Sequence, residues 1–498
     1  MINRYKINHS SIYIIIFISF ALSLLVSNHN LTNYDKNILK NNRFSHLMIK
    51  NDAERYLGHG ALIKKEILEG KNYFKSGREN YTKYLPPRIA AAYYLLLDKD
   101  LYDNFVDKKI NIGNHKPYLF IQCLIYYLSI LFLYQSIKKK FNNRTNFFIV
   151  CFLCLEVTIF QYNGSFFSET IFFSIQILLM SLILRENKSL FNFFLIGIFL
   201  GLLSLQKQMA IFYIVPVILY FLFPINASII KKIAFLIIGF YIVQSFLGYH
   251  NFQRSGKFYL LTADNKLDLH IDLVSRVISK KENISKINFN INEGKISLKW
   301  IDENFIKIDQ ISLALKLEKN LKVYGIKSKG ATFMDVRASI INEKDKIKYD
   351  NFIALRTIEY LKDNPFIFLK YIIKQSFHIA LLNPFHVYSY YNFESGEKYY
   401  ASDTHDKLIP YRIIYSLTIY LICFFGLIRM INNKNYKMLF FLISSIIYFY
   451  GLVSWHGNTR YFVPTLIYLS FFFGLGIDAI IKKTKDHSSN NLNLSKKL

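Results

Sequence analysis

Long apolar runs, separated by short polar hinges, dominate the pattern of this chain. A helix that crosses a bilayer needs about 20 predominantly apolar residues, with some allowance for tilt. Ten stretches meet this need, and the pattern predicts a polytopic α-helical membrane protein. The predicted spans run approximately over 11–27, 117–137, 146–162, 166–184, 189–205, 208–224, 233–249, 408–428, 438–455 and 461–481.

Two further segments are only partly apolar. The stretch 84–98, "YLPPRIAAAYYLLLD", is too short to cross and predicts an interfacial or re-entrant helix. The stretch 366–385 is interrupted by Lys370, Lys374 and His378, which favours an amphipathic helix in the membrane interface over an additional span. If both segments crossed, the number of spans would rise from ten to about twelve and the two termini would stay on one side.

The charged hinges predict how the spans are oriented. If ten spans alternate, the strongly basic hinges all fall on the same side of the membrane. These cations are Arg4, Lys6, Lys138, Lys139, Lys140, Arg144, Arg185, Lys188, Lys231, Lys232, Arg429, Lys434, Lys437, Lys482, Lys483 and Lys485. The short hinges on the other side contain only Lys207 and Arg460. By the positive-inside rule, both termini are expected in the cytoplasm of a multi-pass cell-membrane protein.

The same alternation divides the chain into regions. A membrane module is expected over 1–249, with a first extracytoplasmic loop at 28–116. An extracytoplasmic domain of mixed α/β structure is expected over 250–407. The last spans occupy 408–481, and the polar tail 482–498 is predicted to be disordered.

Composition changes this picture little. Hydrophobic residues make up 52% of the chain, and the formal net charge is +28. Because many of the cations lie in hinges between spans, they indicate membrane topology rather than nucleic-acid binding. The four cysteines all fall in apolar runs, where packed or lipid-facing thiols are expected. They are Cys123, Cys151, Cys154 and Cys423.

Candidate chemistry begins just after the first span. The stretch "NDAERYLGHG" places Asp52, Glu54 and Arg55 together on the predicted outer side. An enzyme at that face has no access to cytosolic nucleotide sugars, so an activated group on a lipid carrier is the expected donor. A carboxylate would deprotonate an acceptor hydroxyl, and a cation would stabilise the departing phosphate. The alternative interpretation of these residues is the solvated start of a helix, with Asp52 as its cap.

Other polar residues lie in or beside the predicted spans. Glu169 and Glu156 are carboxylates inside apolar runs, where such groups mark a site or a channel, or else make a structural hydrogen bond. Lys207 is a candidate for binding a donor phosphate, or a lysine that snorkels to the headgroups. At the start of the last span, Arg460 is a further phosphate-binding candidate, and His456 and Tyr461 are substrate-binding candidates. Tyr461 is alternatively an interfacial anchor. His250 and Arg254 are expected on a solvated face.

Several motifs resemble those of GT-C membrane glycosyltransferases. The resemblance is to bacterial members of the protein O-mannosyltransferase group, which includes the lipid A aminoarabinose transferases. In chain order, the motifs are "NDAERYLGHGALIKKEILEGKNYF", "YLPPRIAAAYYLLL", "GSFFSETIFF", "FLIGIFLGLLSLQKQMAIFYIVPVILYFLF", "HNFQRSGKFYLLTADNKLDLHI", "RTIEYLKDNPFIFLKYI" and "GNTRYFVPTLIYLSFFFGLGI".

This resemblance implies a function and roles for individual residues. Asp52 would be the catalytic base, with Glu54 and Glu169 as candidates for a second carboxylate. Lys207 lies where the family has a basic residue, and Arg55 and Arg460 would join it at the donor phosphate. Arg88, in the "YLPPRIAAA" segment, stands where the family usually has an apolar residue, and it is a further substrate-binding candidate of this sequence.

The predicted activity is therefore transfer of a sugar from a polyprenyl-phosphate donor to a glycolipid, glycan or protein acceptor, with inversion. No cofactor is implied, no metal-ligand spacing is present, and a divalent cation is expected only as a helper bound to carboxylates. The competing interpretations are a transporter or flippase, and a polymerase or ligase of envelope polysaccharide. A transporter predicts similar halves and only short loops. No repeat of halves is found in this sequence, and the two long outer segments, 28–116 and 250–407, speak against a transporter.

Overall fold

A computed structural model describes thirteen segments of the chain. They are residues 8–39, 52–72, 84–100, 102–104, 109–110, 112–166, 168–186, 189–222, 227–260, 358–359, 361–382, 402–453 and 462–495. Within them the protein is almost entirely helical. The elements of the first half are α1 (His9–Leu39), α2 (Asp52–Leu68), α3 (Leu85–Leu96), β1 (Tyr102–Asn104), β2 (Lys109–Ile110), α4 (Ile112–Ile137), α5 (Asn143–Leu155) and α6 (Val157–Asn163).

The second half continues in the same way, with one 3₁₀ helix between α8 and α9. Its elements are α7 (Glu169–Leu184), α8 (Leu190–Gln206), the 3₁₀ helix (Gln208–Tyr213), α9 (Ile214–Leu222), α10 (Ala227–Ser255), α11 (Pro365–Ala380), α12 (Ser402–Asn432), α13 (Tyr436–Val453) and α14 (Val463–Ser495). The two strands pair antiparallel and form a small hairpin in the first loop.

Each predicted span overlaps a helix within the described residues, and the protein is a multi-pass helical membrane protein. The number of helices that cross stays a prediction. Among the described residues, five helices are long and apolar enough to cross by themselves: α1, α4, α10, α12 and α14. The other predicted spans correspond to the bent pair α5–α6 and to the shorter apolar helices α7, α8, α9 with its 3₁₀ turn, and α13.

The third predicted span is broken at Glu156. Helices α5 and α6 meet there at 53°, and the Glu156 backbone is extended rather than helical. Its carboxylate accepts a hydrogen bond from the backbone N–H of Ile159 at 2.9 Å, which caps the start of α6. The Tyr415 hydroxyl donates to the other carboxylate oxygen at 2.7 Å. The observed contacts of this intramembrane carboxylate are therefore those of a helix cap.

Small residues let the spanning helices approach closely. A Cβ atom added to Gly197 on α8 would lie 2.0 Å from the Leu236 carbonyl oxygen of α10. One added to Gly426 on α12 would lie 1.8 Å from the Phe472 carbonyl oxygen of α14. Because lipid does not drive helices together by the hydrophobic effect, such backbone contact supplies much of the packing between them.

Charged hinges from distant parts of the chain meet at one end of the helix bundle, called here the cation end. Asp478 on α14 is buried and pairs with Arg429 of α12 at 2.7 Å and with Arg144 of α5 at 3.4 Å. Lys437 lies over the Tyr220 ring at the same end. These contacts bring the start of α5 and parts of α12 and α14 to one end of the bundle. The number of spans and the membrane side of this end stay predictions.

Two regional predictions meet the structure differently. Residues 261–357 and 383–401 lie outside the described residues, and the described part of 250–407 contains helices but no strand, so it gives no support to the α/β domain. In the tail predicted to be disordered, the structure differs, because α14 continues to Ser495. Extending a formed helix costs far less than starting one, and α14 is already nucleated in the membrane.

The predicted orientation has a direct test by cysteine labelling. In a variant without the four native cysteines, an impermeant maleimide should label Lys75→Cys and Trp300→Cys in intact spheroplasts. Lys139→Cys, in a basic hinge, is the matched control and should react only after lysis. Labelling in the opposite order would reverse the topology and place Asp52 in the cytoplasm.

Candidate functional site

Helices α2 and α3 pack against each other, and this α2–α3 pair fixes where the Asp52 segment lies. Gly60 provides the close approach, because a Cβ atom there would lie 2.6 Å from Cβ of Ala90 on α3. One turn further along α2, Lys64 Nζ donates to the Lys99 carbonyl oxygen at 2.8 Å and pairs with Asp100 at 3.1 Å, just beyond the carboxyl end of α3. The α2–α3 pair is thus held at two separate points.

Asp52 is the first residue of α2. A carboxylate in the first turn of a helix is stabilised by the helix dipole and by the unsatisfied backbone N–H groups there. Glu54 and Arg55 follow in the same turn. The structure describes the backbone of these residues, and their side-chain positions stay a prediction.

The start of α3 packs on the end of α8 and on α10. Tyr84, which precedes α3, lies in a buried cluster with Leu205 of α8 and with Val243 and Leu247 of α10. Leu205 is next to the break that contains Lys207, so the start of α3 and Lys207 belong to the same end of the bundle. This end is called here the pair end.

Glu169 and Lys207 form a buried ion pair. Lys207 Nζ lies 2.6 Å from Glu169 Oε1, and the two side chains are 2% and 0% exposed. Glu169 is the first residue of α7. Lys207 lies in the break between α8 and the 3₁₀ helix, where its backbone is extended. The sequence predicted each residue separately as a site candidate, and the structure brings them into contact.

A hydrogen bond beside the ion pair joins the end of α8 to the residue that precedes α7. The Gln206 side-chain amide donates to the Ser168 carbonyl oxygen at 3.0 Å, and Lys207 Nζ lies 5.2 Å from the centre of the Phe172 ring. A buried ion pair is costly to desolvate and stays bound only with good geometry. The two charges compensate each other, so Lys207 is held by an anion of the protein rather than snorkelling to the headgroups.

Arg88 and His250 form a second buried polar group at the pair end. Arg88 Nη2 lies 3.3 Å from His250 Nδ1, and Arg88 Nη1 donates to the Tyr84 carbonyl oxygen at 3.1 Å. The guanidinium also lies 3.7 Å from the centre of the Tyr84 ring, within the range of a cation–π contact. The expectation of a solvated His250 was wrong, since it is 5% exposed. Its residue type gave no signal of this, because its observed contacts are with distant residues, Arg88 of α3 and Tyr84.

The remaining site candidates lie outside the described residues. They are Arg460, His456 and Tyr461. Within the described part of the chain, no three His, Cys, Asp or Glu side chains come together as metal ligands. No residue is therefore assigned to a metal or a cofactor.

One comparison with known families gives a match. Residues 108–249 match the model of the dolichyl-phosphate-mannose-protein mannosyltransferase family. The matched segment runs from just before α4 into α10, and it includes both Glu169 and Lys207. It covers less than a third of the chain and does not reach Asp52. No curated protein matches the chain.

Proposed function

We propose that the protein is a membrane glycosyltransferase that transfers a sugar from a polyprenyl-phosphate donor to an acceptor at the extracytoplasmic face. The observation that carries this proposal is the buried Glu169–Lys207 pair, which lies within the segment similar to the mannosyltransferase family. An ammonium fixed at the end of two apolar helices suits the phosphate of a lipid-linked donor. The start of α3 packs at the same end, and Asp52 of the adjoining helix α2 is proposed to supply the second reacting group.

The reaction is a single in-line displacement, which inverts the anomeric carbon. The acceptor oxygen bonds to that carbon while the bond from the carbon to the donor phosphate oxygen breaks. The proton of the acceptor hydroxyl passes to the Asp52 carboxylate. The electron pair of the broken bond stays on the polyprenyl phosphate, which leaves as a monoester.

The leaving phosphate gains negative charge, and Lys207 is the cation proposed to stabilise it, together with Arg55 and Arg460. Glu169 is proposed to orient the ammonium rather than to act as a second base, because its carboxylate is occupied by Lys207 at 2.6 Å. Electrostatic catalysis is most effective when the stabilising charge is already oriented before the reaction. A fixed ammonium meets this requirement better than a mobile surface lysine.

Arg88, His456 and Tyr461 are proposed to contact the substrate. Arg88 has a supporting observation, since it is buried beside His250 at the end where the donor would bind. The acceptor is a glycolipid, a glycan or a protein, and the bilayer supplies the carrier lipid. No nucleic acid takes part. The proposed location is the cell membrane, with both termini in the cytoplasm.

Mass spectrometry of surface glycans and glycolipids from a strain lacking the gene tests this function. We expect one class of acceptor to lose a single sugar, with its remaining structure intact. A flippase would instead leave the lipid-linked sugar on the cytoplasmic leaflet, and a polymerase or ligase would leave short or unattached chains. Either of these two results would contradict transferase activity.

A further inference from the structure

Helix α11 ends against the spanning part of α12. Ile379 lies in the last turn of α11, and Leu382 lies two residues beyond its end. Both are buried in the main apolar core. The candidate span of α12 begins at Ile409. The contacts of the α11 end extend to Tyr420, which lies about 16 Å further along the α12 axis. The carboxyl end of α11 therefore lies at membrane depth, on the side opposite the cation end.

One face of α12 satisfies the backbone where α11 stops. Arg412, which is 1% exposed, donates to the carbonyl oxygens of Leu381 at 2.8 Å and Leu382 at 3.2 Å. The Ser416 hydroxyl accepts from the Leu382 backbone N–H at 2.9 Å, and the Tyr420 hydroxyl donates to the Ala380 carbonyl oxygen. Non-helical backbone is tolerated at membrane depth only when protein groups bond to it in this way.

The cation Arg412 also suits its position electrostatically. The last carbonyl groups of a helix lack partners within the helix and carry the negative end of its dipole. An arginine from another helix can both bond to these oxygens and compensate the dipole. Arg412 of α12 thus bonds to the cap residue of α11, Leu381, and to Leu382 just beyond it. A residue of the same helix makes such bonds in many other helices.

The opposite face of α11 is apolar and exposed. Four side chains at helical spacing form this apolar stripe: Phe366 at 84%, Leu369 at 54%, Ile373 at 51% and Phe377 at 73% exposed. Lys370 and Lys374 are exposed along one edge of the stripe. Large apolar side chains flanked by lysines are typical of a helix that lies in the headgroup and acyl-chain boundary.

The length and the charges of α11 together argue against a full crossing. Its 16 residues extend about 24 Å, which is shorter than the hydrocarbon core of about 30 Å, and unlike the equally short α7 it contains two lysines, Lys370 and Lys374. An in-plane surface helix is excluded as well, because its carboxyl end lies against the spanning part of α12.

We propose that α11 is a half-inserted helix whose apolar stripe binds the acyl chains of anionic phospholipids, and that Arg412 holds its carboxyl end within the bilayer. The lysines face the anionic headgroups, and the stripe continues the lipid-facing surface of α12. This proposal is independent of the glycosyltransferase activity. It specifies a surface through which the segments on either side of α11 are attached to the membrane.

Tryptophan fluorescence in the full chain tests the surface. The two native tryptophans are replaced by Trp300→Phe and Trp455→Phe, and Phe377→Trp is introduced on the stripe. Ile414→Trp, at an exposed position of α12, is the lipid-facing control, and Tyr371→Trp is the control on the buried face of α11. The proteins are reconstituted in phosphatidylcholine–phosphatidylglycerol vesicles with brominated acyl chains.

We expect the bromolipid to quench the Phe377→Trp variant about as strongly as Ile414→Trp, and Tyr371→Trp several-fold less. Quenching of Phe377→Trp should weaken in vesicles of phosphatidylcholine alone. Quenching by aqueous acrylamide instead of bromolipid would overturn lipid binding, and so would protection from both quenchers. Disulfide cross-linking of a Phe377→Cys variant between two copies would identify a second copy as the occupant.

The role of Arg412 is tested in the same system. Arg412→Gln should reduce bromolipid quenching of Phe377→Trp by half or more while leaving that of Ile414→Trp unchanged. Arg412→Lys, which keeps the charge, should have a smaller effect, and Tyr411→Phe at the next position should have none. Unchanged quenching in Arg412→Gln would overturn the holding role, and loss of both signals would show that the variant acts on the whole bundle instead.

Discussion

Replacing Asp52 by asparagine is expected to lower the rate of sugar transfer by about 100-fold or more, the usual contribution of a general base. The amide has nearly the same shape as the carboxylate but cannot accept the acceptor's proton. The protein should still fold and insert, because Asp52 is at the start of α2, where asparagine is also well tolerated. The measurement is single-turnover transfer in vesicles, after size-exclusion and topology checks on the same preparation.

Glu54→Gln is the matched control for this prediction. It removes a carboxylate from the same helical turn, and we expect a much smaller loss of rate if Asp52 alone is the base. Near-normal turnover in Asp52→Asn would contradict the assignment of the base. It would indicate an acceptor that is already ionised, such as a phosphate, which needs no deprotonation.

The helical, multi-pass character of the chain could be predicted from the sequence because its helices follow long apolar runs. The number of spans stays a prediction, since five of the described helices are long and apolar enough to cross by themselves. The sequence also predicted that Arg144, Arg429 and the other basic hinges would lie at one end. What it did not predict were interruptions within the runs. In the sequence, Glu156 is a single charged residue in an apolar stretch and does not indicate a bend. Its contacts with Ile159 and Tyr415 in the structure explain why the helix bends there.

The partners of the polar residues were predicted least well. Glu169 and Lys207 were each recognised because a charge in an apolar run is costly and needs a reason. Their pairing depends on how α7 and α8 pack, and neither residue type nor spacing specifies that. Arg412 was overlooked, because an arginine near the start of a span is also typical of an interfacial anchor.

Variants of the buried Glu169–Lys207 pair can distinguish its contribution to stability from its contribution to donor binding. Glu169→Gln or Lys207→Gln alone leaves one charge buried without its partner, and we expect each to destabilise the protein by about 3–5 kcal/mol. The double variant with both changes buries no charge, so it should recover most of that stability. Thermal unfolding in a fixed detergent measures this, with Lys231→Gln, an exposed lysine at the cation end, as the neutral control.

Activity should follow a different order from stability. If Lys207 binds the leaving phosphate, the double variant stays defective even though it is stable, because no ammonium remains to meet the phosphate. A lost charge-assisted hydrogen bond of about 1.5–3 kcal/mol corresponds to about 10- to 100-fold weaker apparent donor affinity. Lys207→Arg, which preserves the charge opposite Glu169, should keep a substantial part of the donor affinity. Full recovery of both stability and donor affinity in the double variant would assign the pair to the structure alone and remove Lys207 from the reaction.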